Sequence, residues 1–220
     1  MRTVIFDLDG TLADTSGDLI RAANACFRRL GHGDLLDPIS DAGTAFRGGR
    51  AMLRLGFSRV GLNDEALVDA EFQPFIEFYR DAIDVETRFY PGALDAIETL
   101  RLRGYAVGIC TNKPEGLAEL LMTRLGAREM FASLVGADTL SVRKPDPAPY
   151  LAAVTRAGGD PRRSCLIGDT ETDRETARAA GVPCALVTFG PDGNGVADLS
   201  PEGLLPDYAA LPRVVSEMIG

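Results

Sequence analysis

Short runs of mostly apolar, often β-branched residues recur along the chain at positions 3–7, 105–111, 133–136, 164–168 and 184–188. Each ends in acidic, glycine or hydroxyl residues, the pattern of a strand buried on both faces. Between these runs the apolar positions return at helical spacing, over residues 93–103, 114–125, 148–157 and 171–180. Strands alternating with helices over short connections predict a parallel sheet covered on both faces. The expected fold class is therefore α/β, a doubly wound parallel sheet of Rossmann-like type.

The alternation breaks once. Residues 15–89 carry amphipathic helical patterns at 18–30, 51–60 and 64–84 and no strand. The expected organisation is an α/β core of residues 1–14 and 90–220, with a helical domain of residues 15–89 inserted after the first strand as a lid. An amphipathic stretch at 208–218 is expected to pack on the chain's own sheet.

In a doubly wound sheet, ligands bind beyond the carboxyl ends of the strands, where the strand order reverses. The first strand ends in Asp7, Asp9, Gly10 and Thr11, and the second in Thr111 and Asn112. Lys144 lies in the loop after the third, and the fourth is followed by Asp169 and, one helical turn on, Asp173. Several carboxylates in one crevice repel each other unless a hard cation joins them, and Mg²⁺ takes such oxygen ligands. The cation and a lysine then offset the charge of a phosphate. Backbone amides near Asp9, Gly10 and Asn112 and the Thr111 hydroxyl can hold its oxygens. A carboxylate aimed at phosphorus, with a second carboxyl two residues on, supplies a nucleophile and a general acid.

These motifs, in this order, resemble those of haloacid dehalogenase superfamily phosphatases, in the helical-cap branch that includes phosphoglycolate phosphatases. The resemblance spans the whole chain. It implies Asp7 as nucleophile and metal ligand. Asp9 becomes the acid and then the base, its backbone carbonyl also ligating Mg²⁺. Thr111 and Asn112 orient the phosphoryl group, and Lys144 neutralises nucleophile and phosphate. Asp169 ligates the metal, Asp173 supports it through water or Lys144, and Gly10 and Thr11 shape the phosphate-binding loop.

Composition narrows the partners. With a net charge of -9 and no basic patch, nucleic acid is not expected. No apolar stretch is long enough to cross a membrane, and no signal sequence leads the chain, so a cytoplasmic enzyme of small phosphate esters is expected, as monomer or homodimer. Cys26, Cys110, Cys165 and Cys184 are widely spaced and read as buried thiols. His32, the only histidine, lies between two glycines where a helix pattern stops, and reads as a helix-end residue rather than a base.

There are only two lysines, Lys113 and Lys144, among 23 basic residues. A lysine in an arginine-using chain marks a site that needs a compact ammonium. That argument favours Lys144; Lys113 is left open between the site and solvent. In the insertion, the glycine-rich stretch 43–50 is the candidate substrate-reading loop, with Arg47 as its carboxylate reader. A sugar phosphomutase, a pyrophosphatase or a nucleotidase shares the core motifs. A phosphoacceptor signalling module shares the chemistry but lacks the insertion.

Overall fold

The computed structural model describes residues 1–220 throughout. The chain begins with β1 (Thr3–Phe6) and a short β2 (Ala13–Asp14). Four helices follow: α1 (Ser16–Arg29), α2 (Ala42–Ala45), α3 (Gly49–Arg59) and α4 (Glu65–Asp81). After β3 (Arg88–Phe89) come α5 (Ala93–Leu102), β4 (Ala106–Cys110), α6 (Glu115–Arg124) and β5 (Ser133–Val135). The remainder is α7 (Ala148–Arg156), β6 (Ser164–Gly168), α8 (Glu171–Ala180), β7 (Cys184–Val187), β8 (Gly203–Leu205) and α9 (Leu211–Ile219). Two compact units result: Met1–Ala13 with Phe89–Gly220, and Asp14–Arg88. The two-stranded ribbon of β2 and β3 lies at their boundaries.

The first unit holds a parallel six-stranded sheet in the order β5-β4-β1-β6-β7-β8. Strand β1 is central, pairing Phe6 with Ile109 on one side and Ile167 on the other. From it the chain winds out through β4 to β5, then crosses to β6 and winds the other way. The reversal therefore falls at β1, and a crevice opens at its carboxyl end.

All four residues of β1 are buried, as a sheet covered on both faces requires. On one face Ile5, Leu166 and Leu186 meet Tyr150, Val154 and Ala177 in a single apolar cluster. Each such aliphatic side chain contributes about 1.5–3 kcal/mol by leaving water. The Tyr150 hydroxyl is not orphaned there, because it lies 2.6 Å from Ser164 Oγ.

Strand β8 was not anticipated. Only Leu205 of its three residues is buried, so no apolar run marks it. Its Gly203 lies so close to α9 that a Cβ would stand 2.9 Å from Val214 Cγ1. Helix α9 packs on β6, β8 and α5, which is the chain's own sheet.

In the second unit, α1 packs against α2, α3 and α4. Gly56 is needed at the α1–α3 crossing, since a Cβ would come within 2.1 Å of the Phe27 ring. Phe27 and Phe57 then meet edge to face at 5.1 Å. The glycine-rich stretch is not all loop, contrary to expectation: residues 42–45 form α2, and Gly49 already opens α3. Gly49 is small because Phe75 packs where its Cβ would be, at 2.4 Å. Arg50 pairs with Asp69 and lies 4.4 Å over the Phe72 ring, a structural role within this unit. Arg47 is exposed beside Gly48, whose φ of 93° suits only glycine.

Candidate active site

Three strand ends at the reversal point carry the candidate residues, all within the first unit. Asp7 directly follows β1 and is fixed by its N–H donating to Ile167 O at 2.9 Å. Thr111 directly follows β4, its N–H donating to Val135 O at 2.9 Å. Asp169 directly follows β6. Asp7 and Thr111 each continue a strand's ladder by one bond, whereas the Asp169 N–H leaves the ladder and donates to Asp173 Oδ2.

Asp7, Asp169 and Asp173 each offer a carboxylate oxygen within 4.8 Å of the others. The buried ammonium of Lys144 lies 2.6 Å from Asp173 Oδ1 and 3.1 Å from Asp7 Oδ1. The Asp173 contact is a hydrogen bond. The Asp7 contact is an ion-pair distance at which Oδ1 accepts no hydrogen bond. Burial alone would lower the Lys144 pKa, but the Asp173 and Asp7 charges outweigh it and hold the ammonium charged.

The carboxylates respond the other way. Burial foremost pushes Asp7 up from 3.8 to about 6, with Lys144 opposing and Asp173 and Asp9 adding repulsion. Asp169 is pushed well above its ordinary value by burial, then by Asp173 and Asp7. Three carboxylates thus share one ammonium, and two buried oxygens, Asp7 Oδ1 and Asp169 Oδ2, accept no hydrogen bond. Excess negative charge and bare oxygens are what a hard divalent cation satisfies, so this donor set fits one.

Asp173 is engaged differently. Its Oδ2 accepts from the N–H of Asp169 and Thr170 at 3.2 Å each and from Thr170 Oγ1 at 2.9 Å, while Oδ1 holds Lys144. Thr170 thereby fixes the start of α8, as a helix-entry residue should. Gly168 makes room for this turn: a Cβ there would stand 2.3 Å from Asp173 Cγ.

The loop after β1 is closed by Gly10, whose φ of 82° belongs to glycine and whose N–H donates to Ala13 O at 2.9 Å. Thr11 is fully buried, and its hydroxyl donates to Asp169 Oδ1 at 2.7 Å. The Thr11 side chain is thus committed to orienting Asp169, which places it as a residue that shapes the loop. Asn112 is likewise committed, donating from Nδ2 to the Lys144 carbonyl at 3.0 Å and so tying two strand-end loops together. Its side-chain amide supports Lys144.

Two contacts were not foreseen. Lys113 is buried and grips Asp9, its Nζ lying 2.7 and 2.9 Å from the two carboxylate oxygens. Tyr208, in the turn before α9, donates its hydroxyl to Thr11 O at 2.7 Å. An aromatic chain of Tyr90, Phe189 and Tyr208, with centroids 4.8 and 5.5 Å apart, backs that bond. Arg47 belongs to the other unit and is not among the residues gathered here. His32 sits exposed just past α1, its N–H donating to Phe27 O at 3.0 Å, a helix-end residue. The four cysteines are free and buried, and burial pushes Cys26 and Cys110 up to about 12, which removes them as nucleophiles.

Known proteins share this sequence and fold. A phosphoglycolate phosphatase of Agrobacterium fabrum is 36% identical over 221 residues, covering 98% of this chain and 92% of its own. One from Cereibacter sphaeroides is 34% identical over the whole of both chains. The crystal structure of a "predicted phosphoglycolate phosphatase" from Haemophilus somnus superposes with a TM-score of 0.85 at 22% identity, covering 97% of each chain, and shows the fold alone. The family described as haloacid dehalogenase-like hydrolase matches residues 1–181, from before β1 to just past α8. This chain belongs to the haloacid dehalogenase-like hydrolases.

Proposed function

We propose that the protein is a magnesium-dependent phosphomonoester hydrolase that works through an aspartyl phosphate at Asp7, with 2-phosphoglycolate as its substrate. The observation that carries this reading is the bare Asp7 Oδ1 at the end of the central strand, 3.1 Å from a buried ammonium. A carboxylate that only stabilised the fold would have its oxygens hydrogen-bonded. The substrate is chosen from the curated relatives that cover nearly the whole chain.

In the first step the Asp7 carboxylate attacks phosphorus and the bond to the leaving oxygen breaks, while Asp9 passes its proton to that oxygen. In the second, Asp9 takes a proton from water as the water oxygen attacks phosphorus, and the Asp7–phosphorus bond breaks to release phosphate. The Thr111 hydroxyl and the Asn112 N–H hold phosphoryl oxygens, and Lys144 offsets their charge. Asp7, Asp169 and the Asp9 carbonyl would hold Mg²⁺, which would supply positive charge to offset that of the phosphoryl group. Asp173 already accepts four hydrogen bonds, so its support reaches the metal through Lys144 or water. Residues 15–89 act as the lid, and Arg47, which is exposed, reads the substrate carboxylate. Reduced thiols and the lack of any helix long and apolar enough to cross a membrane suit a cytoplasmic enzyme.

The test is initial rate on 2-phosphoglycolate, hexose phosphates and nucleotides, with Mg²⁺ and with chelator. Magnesium-dependent release of phosphate, strongest for 2-phosphoglycolate, is the expected result, and interconversion of hexose phosphates without phosphate release would point to a mutase. Asp7→Asn should lose more than roughly a hundredfold, since covalent catalysis is worth well over about 2.7 kcal/mol. A variant that kept more than that would sink the nucleophile assignment.

A further inference from the structure

Both lysines of this arginine-using chain are buried in one crevice, but they grip different carboxylates. Lys144 serves Asp7 and Asp173, whereas Lys113 Nζ holds both oxygens of Asp9, at 2.7 and 2.9 Å. Its backbone is pinned on both sides. The N–H donates to Thr111 Oγ1 at 3.2 Å, and the carbonyl accepts from Ala137 N at 2.9 Å. The next residue, Pro114, leads straight into α6. The ammonium is thus delivered to Asp9 from a fixed backbone, and its side chain is only 4% exposed.

Lysine carries large rotamer entropy and is almost never fully buried without a reason. A two-oxygen grip sets the plane of a carboxyl group, and that plane is what a proton donor to a leaving oxygen must have right.

We propose that Lys113 is the positioning residue for Asp9, holding its carboxyl group so that one oxygen stays with the ammonium while the other faces the leaving oxygen of the ester. This rests on Asp9 being the proton donor of the proposed phosphatase. The proton that moves is the one on Asp9, passed to the leaving oxygen as its bond to phosphorus breaks; Lys113 keeps its own protons throughout. The consequence is specific. Loss of Lys113 harms esters in proportion to how much their leaving group needs a proton.

The experiment compares kcat/KM for ethyl phosphate, 2-phosphoglycolate and p-nitrophenyl phosphate in the unaltered protein, Lys113→Met and Lys113→Arg, all with Mg²⁺. An alkoxide cannot leave unprotonated, and a p-nitrophenolate can. Lys113→Met should lose roughly a hundredfold on both alkyl esters and less than about tenfold on the aryl ester. Lys113→Arg, which keeps a cation able to span two carboxylate oxygens, should recover much of the alkyl-ester loss. If Lys113→Met does not fold, as thermal unfolding would show, the arginine variant alone decides, by showing the same order of substrates in a smaller loss.

An equal loss on all three esters would make Lys113 a structural or general electrostatic residue and overturn the proposal. Loss confined to 2-phosphoglycolate would make it a carboxylate reader instead, and no loss would also refute it. If the unaltered protein hydrolyses none of the three, the phosphatase reading itself fails, an outcome separate from all of these.

Discussion

Replacing Asp7 should make the metal-free protein more stable, not less. Asp7 is pushed up from 3.8 to about 6, first by burial and then by Asp173 and Asp9, against the pull of Lys144. A carboxyl raised in the folded state binds its proton more tightly there than in the unfolded chain. Below about pH 3 both states are protonated and no cost arises. As pH climbs from about 4 to about 6 the unfolded state ionises first, and folding stability falls; above that the cost is constant. A roughly hundredfold difference in proton affinity amounts to about 3 kcal/mol at neutral pH. Relaxation and water entry reduce this to about 1–3 kcal/mol. Asparagine carries no such cost, and it also relieves Asp169, whose shift has the same sign and persists in the variant.

In a protein of this size each kcal/mol moves the melting temperature by about 2–4 °C. In chelator at pH 7.5, Asp7→Asn should therefore melt about 2–12 °C above the unaltered protein, and the gap should narrow to about a third by pH 4.5 and close near pH 3. Millimolar Mg²⁺ should raise the unaltered protein's melting temperature and the variant's less, because the cation binds only the folded chain. Thermal unfolding followed by circular dichroism reads all of this. A variant that melts lower at pH 7.5 in chelator, or a gap unchanged with pH, would refute the claim that Asp7 sits in an electrostatically strained cluster.

Thr11→Val keeps the shape of the buried side chain but removes the 2.7 Å hydrogen bond to Asp169. Losing such a supporting bond should weaken the rate's Mg²⁺ half-saturation by roughly 10- to 100-fold while sparing kcat at saturating Mg²⁺; a loss of kcat alone would put Thr11 at the substrate instead. Arg47→Ala should raise KM for 2-phosphoglycolate by roughly 10- to 100-fold, the worth of a hydrogen bond to a charged group, and leave ethyl phosphate unaffected. Equal effects on both esters would remove Arg47 as a carboxylate reader.

The sheet was legible because its strands are buried on both faces and so appear as unbroken apolar runs; β6 spans the same residues as the run at 164–168. β8 was not, because an edge strand with one buried side chain has no periodicity to show. In the site, motif spacing marked Asp7, Asp9, Thr111, Lys144, Asp169 and Asp173, since each follows a strand end. It could not tell which way a hydroxyl or amide turns: Thr11 and Asn112 point at Asp169 and at the Lys144 carbonyl. Lys113 carried a signal that was applied to one lysine and not to the other, for the rarity of lysine argues equally for both. Tyr208 carried none, because a tyrosine at the edge of an amphipathic stretch says nothing about a carbonyl 197 residues away.

The central place of β1 has a consequence for how the protein is made. β1 leaves the ribosome well before its two neighbours, β4 and β6, so Thr3 must wait for Ala106 and Ser164. The loop after β1 waits longer still, for the Tyr208 hydroxyl that closes on the Thr11 carbonyl. At translation speeds of 5–20 residues per second, that interval is roughly 10–40 s. Throughout it the nascent chain carries Val4, Ile5 and Phe6 with both strand edges open, a natural client for a chaperone. The candidate site is thus incomplete until the far part of the chain arrives.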